Sequence, residues 1–505
     1  MSGLDALDRG TEAAATEAER VAMADRHGAH KDVARNLGAF AIAQLIVRLA
    51  GLGVVVVVAR LLSSADFGRY SVALALSSLF TVFVESGMGG YLVREGTQSP
   101  HRASVALGHV ITLQIVTGTL AVGACAIVAV SLNYDSATFV ATIVLAVSAV
   151  AMIAQRSFLA ILMSLNRSRL YAGFQSGQAI VTAVATVAAA VLGAGPAGIA
   201  VGVLISSLLS FPVAFALLHR HWDQRIRFVR EGLWETLAVA AAYSAAKLGS
   251  ALLTYIDAVM VQAIKGNVAA ARYGASYRLM MALRMAPLVY ADGLAQPAAR
   301  LARDDRKGLE EVLNRAMRQL YVAGLAIGLG GFLLSDRVMS AVFGAPYGAA
   351  GTAAGLLLLT LPVSFACHPF VIVALAMGLE KNIARIFAMT VVVNVGTNLV
   401  LIPEYGPTGA AIAMLISTAV LYGQTARLLW GNGIRFSGFG RLLRISFAGA
   451  AMGLTVVLAG ALPLPAVIVL GAAVYVVLIR LLRVLDRTDL DMMPMGSRLG
   501  WLAAR

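Results

Sequence analysis

The chain has 505 residues, 59% of them hydrophobic and 13% charged, with a mean hydropathy of +0.81. Soluble domains carry about 25% charged residues, so this balance excludes an ordinary water-soluble enzyme and points to the bilayer. The formal net charge is +14, but the basic residues sit in short clusters between apolar runs and form no continuous stripe, which argues against a nucleic-acid partner.

In chain order, residues 1–35 form a polar stretch in which Asp5, Asp8, Glu12, Glu17 and Glu19 alternate with Ala and Arg. Without an apolar run, it reads as a cytoplasmic tail and not as a secretory leader. An apolar helix of about 20 residues crosses a bilayer core. The runs that follow predict about fourteen transmembrane helices: 37–62, 70–93, 105–131, 137–163, 170–193, 196–218, 233–264, 271–297, 316–334, 350–377, 383–402, 408–430, 443–462 and 464–482. Connections as short as Gly193-Ala194-Gly195-Pro196 and Leu462-Pro463-Leu464 predict tight helical hairpins. With the N-terminus inside, one side holds the clusters Arg220–Arg230, Arg300–Arg318 and Arg435–Arg444. The other holds only Arg60, Arg69, Lys265, Arg272 and Arg337. That asymmetry is the positive-inside pattern, and it predicts that both termini are cytoplasmic.

The halves of the chain echo each other. Residues 195–206, from Gly195-Pro196, recur as 406–417, from Gly406-Pro407, with seven of twelve positions identical at a spacing of 211. Arg69-Tyr70 at the second span is echoed by Arg272-Tyr273 at the eighth. Met163-Ser164-Leu165-Asn166-Arg167 after the fourth is echoed by Met377-Gly378-Leu379-Glu380-Lys381 after the tenth. Three echoes in matching order predict an internal repeat. Each repeat has six spans, an even number, so the two lobes are parallel and related by a pseudo-two-fold axis along the membrane normal. The predicted organisation is a tail at 1–35, an N-lobe at 36–218, a cytoplasmic linker at 219–232, a C-lobe at 233–431, and two extra helices with a tail at 432–505.

Charges inside apolar spans are costly and face a cavity or a partner. Arg48, Lys247 and Arg284 each fall near mid-span and predict a cationic collar between the lobes, suited to an anion such as a pyrophosphate. Arg278 toward the outer side and Arg156 toward the cytoplasmic side extend that set. Glu85, Asp257 and Asp292 are the embedded acids, with gating, ion coupling or helix pairing as their candidate roles. His109 and His368 read as core histidines, and Cys125 and Cys367 as small buried hydrophobes. The sequence offers no nucleotide-binding loop, catalytic constellation or metal-ligand spacing, so neither an enzyme nor a cofactor is expected.

Several segments resemble the multidrug/oligosaccharidyl-lipid/polysaccharide exporter superfamily, in particular its lipid-linked oligosaccharide flippases. They are Ala59-Arg60-Leu61-Leu62-Ser63, Asp66-Phe67-Gly68-Arg69-Tyr70, Leu92-Val93-Arg94-Glu95, Tyr255-Ile256-Asp257-Ala258-Val259-Met260, Ala271-Arg272-Tyr273-Gly274-Ala275 and 401–411, Leu401-Ile402-Pro403 onward. The resemblance covers roughly 35–430 and implies a two-lobed fold, opening alternately to either side, that exports polyprenyl-pyrophosphate-linked sugars across the inner membrane. It implies membrane lipids and glycan-assembly proteins as further partners, and it matches Asp257 to a family aspartate. Peptidoglycan-precursor flippases of the superfamily carry a second arginine two turns after the first in span one. Here none follows Arg48 before Arg60. That substrate and multidrug or cation antiport are the alternatives. The antiporter would line its cavity with acids rather than with Arg48 and its fellow cations.

Overall fold

A computed structural model of the chain describes residues 47, 50–85, 87–165 and 167–485; within these, nothing is said of the side chains of 168, 239–247, 285–289 and 291–292. Arg48, the predicted tail 1–35 and residues 486–505 of the last predicted segment lie outside the described residues. The described chain is nearly all helix, with no strand. Its helices are α1 (Ala50–Leu61), α2 (Ser64–Glu85), α3 (Met88–Gln98), α4 (Pro100–Ser131), α5 (Ser136–Ser164), α6 (Ser168–Val191), α7 (Gly195–His221), α8 (Leu233–Asp292), α9 (Ala295–Asp304), α10 (Arg306–Leu333), α11 (Ser335–Phe343), α12 (Gly351–Leu358), α13 (Leu361–Ala376), α14 (Glu380–Tyr405), α15 (Pro407–Gly431), α16 (Phe439–Leu458) and α17 (Leu464–Leu481). A 3₁₀ turn, Ala345–Ala350, precedes α12. Among the described residues, twelve helical stretches are long and apolar enough to cross a membrane.

Local chemistry sets the helix ends. Ser63 opens α2: its Oγ accepts from the Asp66 amide at 3.1 Å and donates to Asp66 Oδ2 at 2.8 Å. Ser99 caps α4 by accepting from the Arg102 amide, with Pro100 in the first turn, where its missing N–H costs nothing. The spans predicted at 233–264 and 271–297 form one hydrogen-bonded run, broken only at Gly266, whose φ of 80° is open to glycine at little cost. The predicted 70–93 span is instead two helices, because Gly87 turns left-handed at φ 66° between α2 and α3. The predicted cytoplasmic loop 298–315 is helical, formed by α9 and the first turns of α10, with Asp305 capping Gly308 at 2.9 Å. The 335–349 connection also has structure, in α11 and the 3₁₀ turn.

Packing separates an early group from a late one. In the first, α5 lies against α7, α2 and α4, and α6 against α7. In the second, α10 lies on α13, α14 on α15, and α12 on α15 and α8. The broadest contact between the groups is α2 on α8. The largest buried cluster straddles that contact and contains Phe67, Tyr70, Tyr273, Phe343 and Tyr347. A second cluster, with Leu107, Phe158 and Trp222, has its buried residues in the early group, while a smaller one joins Leu76 and Ala129 to Val259 of α8. The last pair, α16 and α17, packs on α10 through Tyr321, whose hydroxyl meets that of Ser446 at 2.9 Å, and Tyr475, whose hydroxyl donates to Val322 O at 2.9 Å. The periphery is apolar, with Leu192 83% and Leu458 76% exposed. So much hydrocarbon surface suits lipid and not water.

Candidate functional site

The two groups close on each other where α2 begins and α8 turns. Gly68 permits this approach, since a Cβ there would lie 1.8 Å from the Asn267 carbonyl oxygen. Nine residues on, Ser276 Oγ donates to Ala350 O at 3.2 Å. From α1, Arg60 Nε donates to Val342 O at 2.9 Å, fastening the early group to the end of α11. The Phe67 and Tyr347 rings meet edge-on at 5.8 Å. Arg278 sits over the Phe67 and Tyr70 rings, 5.5 and 5.6 Å from their centres. Its Nη1 is buried without a hydrogen-bond partner. The aromatic faces thus supply this cation's main favourable contacts here.

Asp257 is fully buried in the first arm of α8. It accepts 2.7 Å hydrogen bonds from the Tyr273 hydroxyl of the returning arm and from Asn398 Nδ2 of α14. Asn398 Nδ2 also donates to Asn394 Oδ1 at 3.1 Å. Asn394 Nδ2 and Asn398 Oδ1 have no partner. The cluster therefore holds a carboxylate together with a free amide oxygen. Oxygen ligands of this kind suit a hard monovalent cation or a proton, and they also fasten α14 to the α8 hairpin.

Arg284 opens into a separate cavity of about 110 Å³ between α8, α13, α14 and α15. Hydroxyls from Ser250, Thr254, Ser364, Ser417 and Thr418 share its lining with His368, and no carboxylate does. Arg284 Nε is buried without a partner. Two of these hydroxyls already donate within their own helices, Thr254 Oγ1 to Ser250 O and Ser417 Oγ to Ala413 O, both at 2.7 Å; a guanidinium with no carboxylate beside it still makes an anion-attracting pocket.

Arg156 is answered differently. Its Nη1 lies 3.5 Å from Glu85 Oε2, with both side chains a little under half exposed. The pair stands between two first-group cavities of about 330 and 310 Å³. Gln114, which donates to Ser157 Oγ at 2.8 Å, lines one, and Gln178, which donates to Ser210 Oγ at 3.0 Å, lines the other. Of the predicted collar of Arg48, Lys247 and Arg284, only Arg284 has a described side chain; the other described candidates lie in separate places. Arg278 is in the aromatic cluster of Phe67, Tyr70 and Tyr347, Arg284 in the hydroxyl-lined cavity, and Arg156 pairs with Glu85. Arg48 lies outside the described residues, and the side chains of Lys247 and Asp292 are not described. His109 is buried and within 3.1 Å of Thr236 Oγ1, whereas His368 lines the Arg284 cavity rather than a closed core.

Sequence reasoning did not single out Phe67, Tyr347, Tyr273, Asn394 or Asn398. Phe67 and Tyr273 lie in segments that carry the family resemblance, and Asn394 and Asn398 are amides four residues apart, and so on one face, in an apolar helix; Tyr347 carried no signal. Among the described residues, no cluster of three His, Cys, Asp or Glu has the arrangement of a metal site.

Many-span helical packing, an apolar periphery and enclosed charges define a multi-pass helical membrane protein. Structural comparison agrees. Lipid II flippase MurJ in an inward closed conformation matches with a TM-score of 0.72 and 17% identity, covering 88% of this chain and 98% of its own. An inward-facing multidrug resistance MATE family transporter matches at 0.63 and 16% identity, over 81% and 99%. A transporter of the superfamily from Pyrococcus furiosus, described by a reversed polarity of its binding pocket, matches at 0.55 and 16% identity, over 82% and 96%. Such identities establish the fold. Comparison with curated protein sequences finds no match. The family itself is given by the sequence: residues 33–294 match the polysaccharide biosynthesis protein family, and the chain belongs to it.

Proposed function

We propose that this protein is a flippase that carries polyprenyl-pyrophosphate-linked oligosaccharide from the cytoplasmic to the periplasmic leaflet of the inner membrane, for exopolysaccharide, capsule or O-antigen biosynthesis. The observation that carries the reading is the Arg284 cavity: a cation among hydroxyls, with no carboxylate in its lining. A pyrophosphate entering the membrane loses its water, and such a pocket offsets that loss with charge-assisted hydrogen bonds. In this reading Arg284 and Arg278, six residues apart on one arm of α8, serve successive positions of the headgroup. Arg48 and Lys247 belong to the same route, and Arg156 is released from Glu85 when substrate arrives.

The transport cycle is alternating access between two six-helix lobes, 36–218 and 233–431, joined by the linker 219–232. The two equivalent Gly-Pro turns support this repeat, since Gly195 and Gly406 both have positive φ and lead into α7 and α15. With both termini cytoplasmic, the Phe67–Arg278–Tyr347 seal is the outer gate, closed in this conformation. Asp257 with Asn394 and Asn398 is the coupling site, taking a proton or a monovalent cation, and Asp292 assists gating near the end of α8. No catalytic step is assigned to any residue.

Two alternatives share the fold. A peptidoglycan-precursor flippase would use the same pyrophosphate chemistry. A multidrug or cation antiporter fits the cationic cavity poorly. Deleting the gene and analysing lipid-linked sugars by mass separates the three. The proposal requires accumulation of a pyrophosphate-linked oligosaccharide in the cytoplasmic leaflet. Accumulation of peptidoglycan precursor would transfer the assignment to the first alternative, and accumulation of neither would contradict both flippase readings.

A further inference from the structure

Between α14 and α15 runs an open groove of about 970 Å³, separate from the cavities above. One wall carries Arg385, Met389 and Val393 of α14, and the other Ala419, Gly423 and Arg427 of α15, each set at single-turn intervals. Its depth comes partly from absent side chains, because a Cβ built on Gly423 meets nothing within 4 Å. The two helices are antiparallel neighbours joined at Gly406, so Arg385 near the start of α14 and Arg427 near the end of α15 share one mouth. Both arginines are exposed, and among the described residues neither forms an ion pair. No carboxylate lines the groove. Away from the mouth the walls are apolar, and the exposed Met389 and Val392 continue them onto the bilayer-facing surface. From Asn382 to Val393 the groove follows three turns of α14, about 16 Å at the helical rise.

A cationic mouth on a hydrocarbon-lined channel fits a phosphate headgroup with an attached chain. We propose that this groove is a binding site for an anionic phospholipid of the cytoplasmic leaflet, with the phosphate between Arg385 and Arg427 and one acyl chain along Met389, Val393 and Ala419. The negative surface of that leaflet favours such a lipid, and basic pockets between transmembrane helices are a recognised way of holding one. A zwitterionic lipid brings its own ammonium and gains less from two arginines. Free phosphate gains nothing from the apolar walls. The site is independent of the transported substrate.

Native mass spectrometry of the purified full-length protein, titrated with phosphatidylglycerol or with phosphatidylethanolamine of the same chains, tests the proposal. The wild-type protein should retain phosphatidylglycerol preferentially, and inorganic phosphate at the same concentration should not displace it. R385A/R427A should lose about 30-fold in phosphatidylglycerol affinity, equivalent to about 2 kcal/mol for two surface cations. G423F keeps both arginines but fills the groove, and should weaken both lipids. The substituted positions are exposed or open, so unchanged lipid-free melting is expected. R385Q/R427Q replaces the alanine pair should that variant be lost. Equal wild-type affinity for the two lipids, or undiminished phosphatidylglycerol binding in the arginine variants or in G423F, would overturn the proposal. So would displacement by inorganic phosphate, which would reduce the site to an anion contact.

Discussion

Arg284 and Arg156 look alike in the sequence, each an arginine on an apolar helix, yet their neighbours assign them different work. Arg284 meets hydroxyls and Arg156 meets Glu85. Hydropathy exposes the cost of a charge in a span and says nothing of what answers it, because the answering residue lies on another helix. Arg284→Ala should lower transport about 10- to 100-fold, as hydrogen bonds to charged groups contribute about 1.5–3 kcal/mol. Membrane abundance should hold, and complementation assays with a quantitative immunoblot read both at once. Undiminished export by R284A would remove this residue from the route. Asp257 was legible as an embedded acid, but Tyr273 and Asn398 were not named beside it, since only folding brings residues 257, 273 and 398 together. Asp257→Asn keeps the hydrogen-bonding shape and removes the charge. If the site couples transport to an ion, D257N should fold and bind substrate, and its export should no longer respond to an imposed proton or sodium gradient. Full gradient dependence in D257N would leave Asp257 a packing role alone.

At the scale of elements, most apolar spans were readable because about 20 hydrophobic residues have few alternatives to crossing a bilayer. The breaks were less readable. Gly266 and Gly87 interrupt or redirect helices by single residues of positive φ, which a hydropathy window averages away. The 335–349 connection passes for a loop because of its charged Asp336-Arg337 start and its breakers Gly344 and Pro346, yet it carries Tyr347 against Phe67. The seal depends on the α2–α8 approach at Gly68. Gly68→Leu adds a branched side chain where even a Cβ would collide with Asn267 O, so the outer end should be held apart. A cysteine pair across that end should crosslink readily in the parent and at least several-fold less in G68L, with export lost. Unaltered crosslinking would mean that this contact does not govern closure. The α16–α17 pair contacts chiefly α10, and Gly449 lets α16 approach until a Cβ would lie 2.5 Å from Leu325. Truncation near Gly440 bares Val322 and Leu325 to lipid, not to water, so the remainder should still fold. Export of long-chain substrates should drop if the pair guides the polyprenyl tail. Normal export by the truncated protein would assign these helices to assembly instead.

For the molecule as a whole, positive charge between spans and charge within them point to one electrical consequence. The cytoplasm is negative, so moving an anionic pyrophosphate outward is downhill by about 2.3 kcal/mol per elementary charge per 100 mV. In vesicles without ion gradients, a potential positive on the periplasmic-equivalent side should speed translocation, and the reverse polarity should slow it. Equal rates under both polarities would indicate electroneutral exchange. The multi-pass helical character was legible at this scale because it rests on sums over many residues, whereas the site was legible only in part because it rests on a few contacts between distant ones. The most direct measurement reconstitutes the purified protein with a fluorescent polyprenyl-pyrophosphate oligosaccharide and with the same glycan on a neutral lipid, and follows each headgroup's arrival on the far leaflet. The account predicts protein-dependent crossing of the pyrophosphate-linked form, strong loss of that crossing in R284A, and little movement of the neutral form. Equal crossing of both forms, or crossing no faster than in protein-free vesicles, would contradict it.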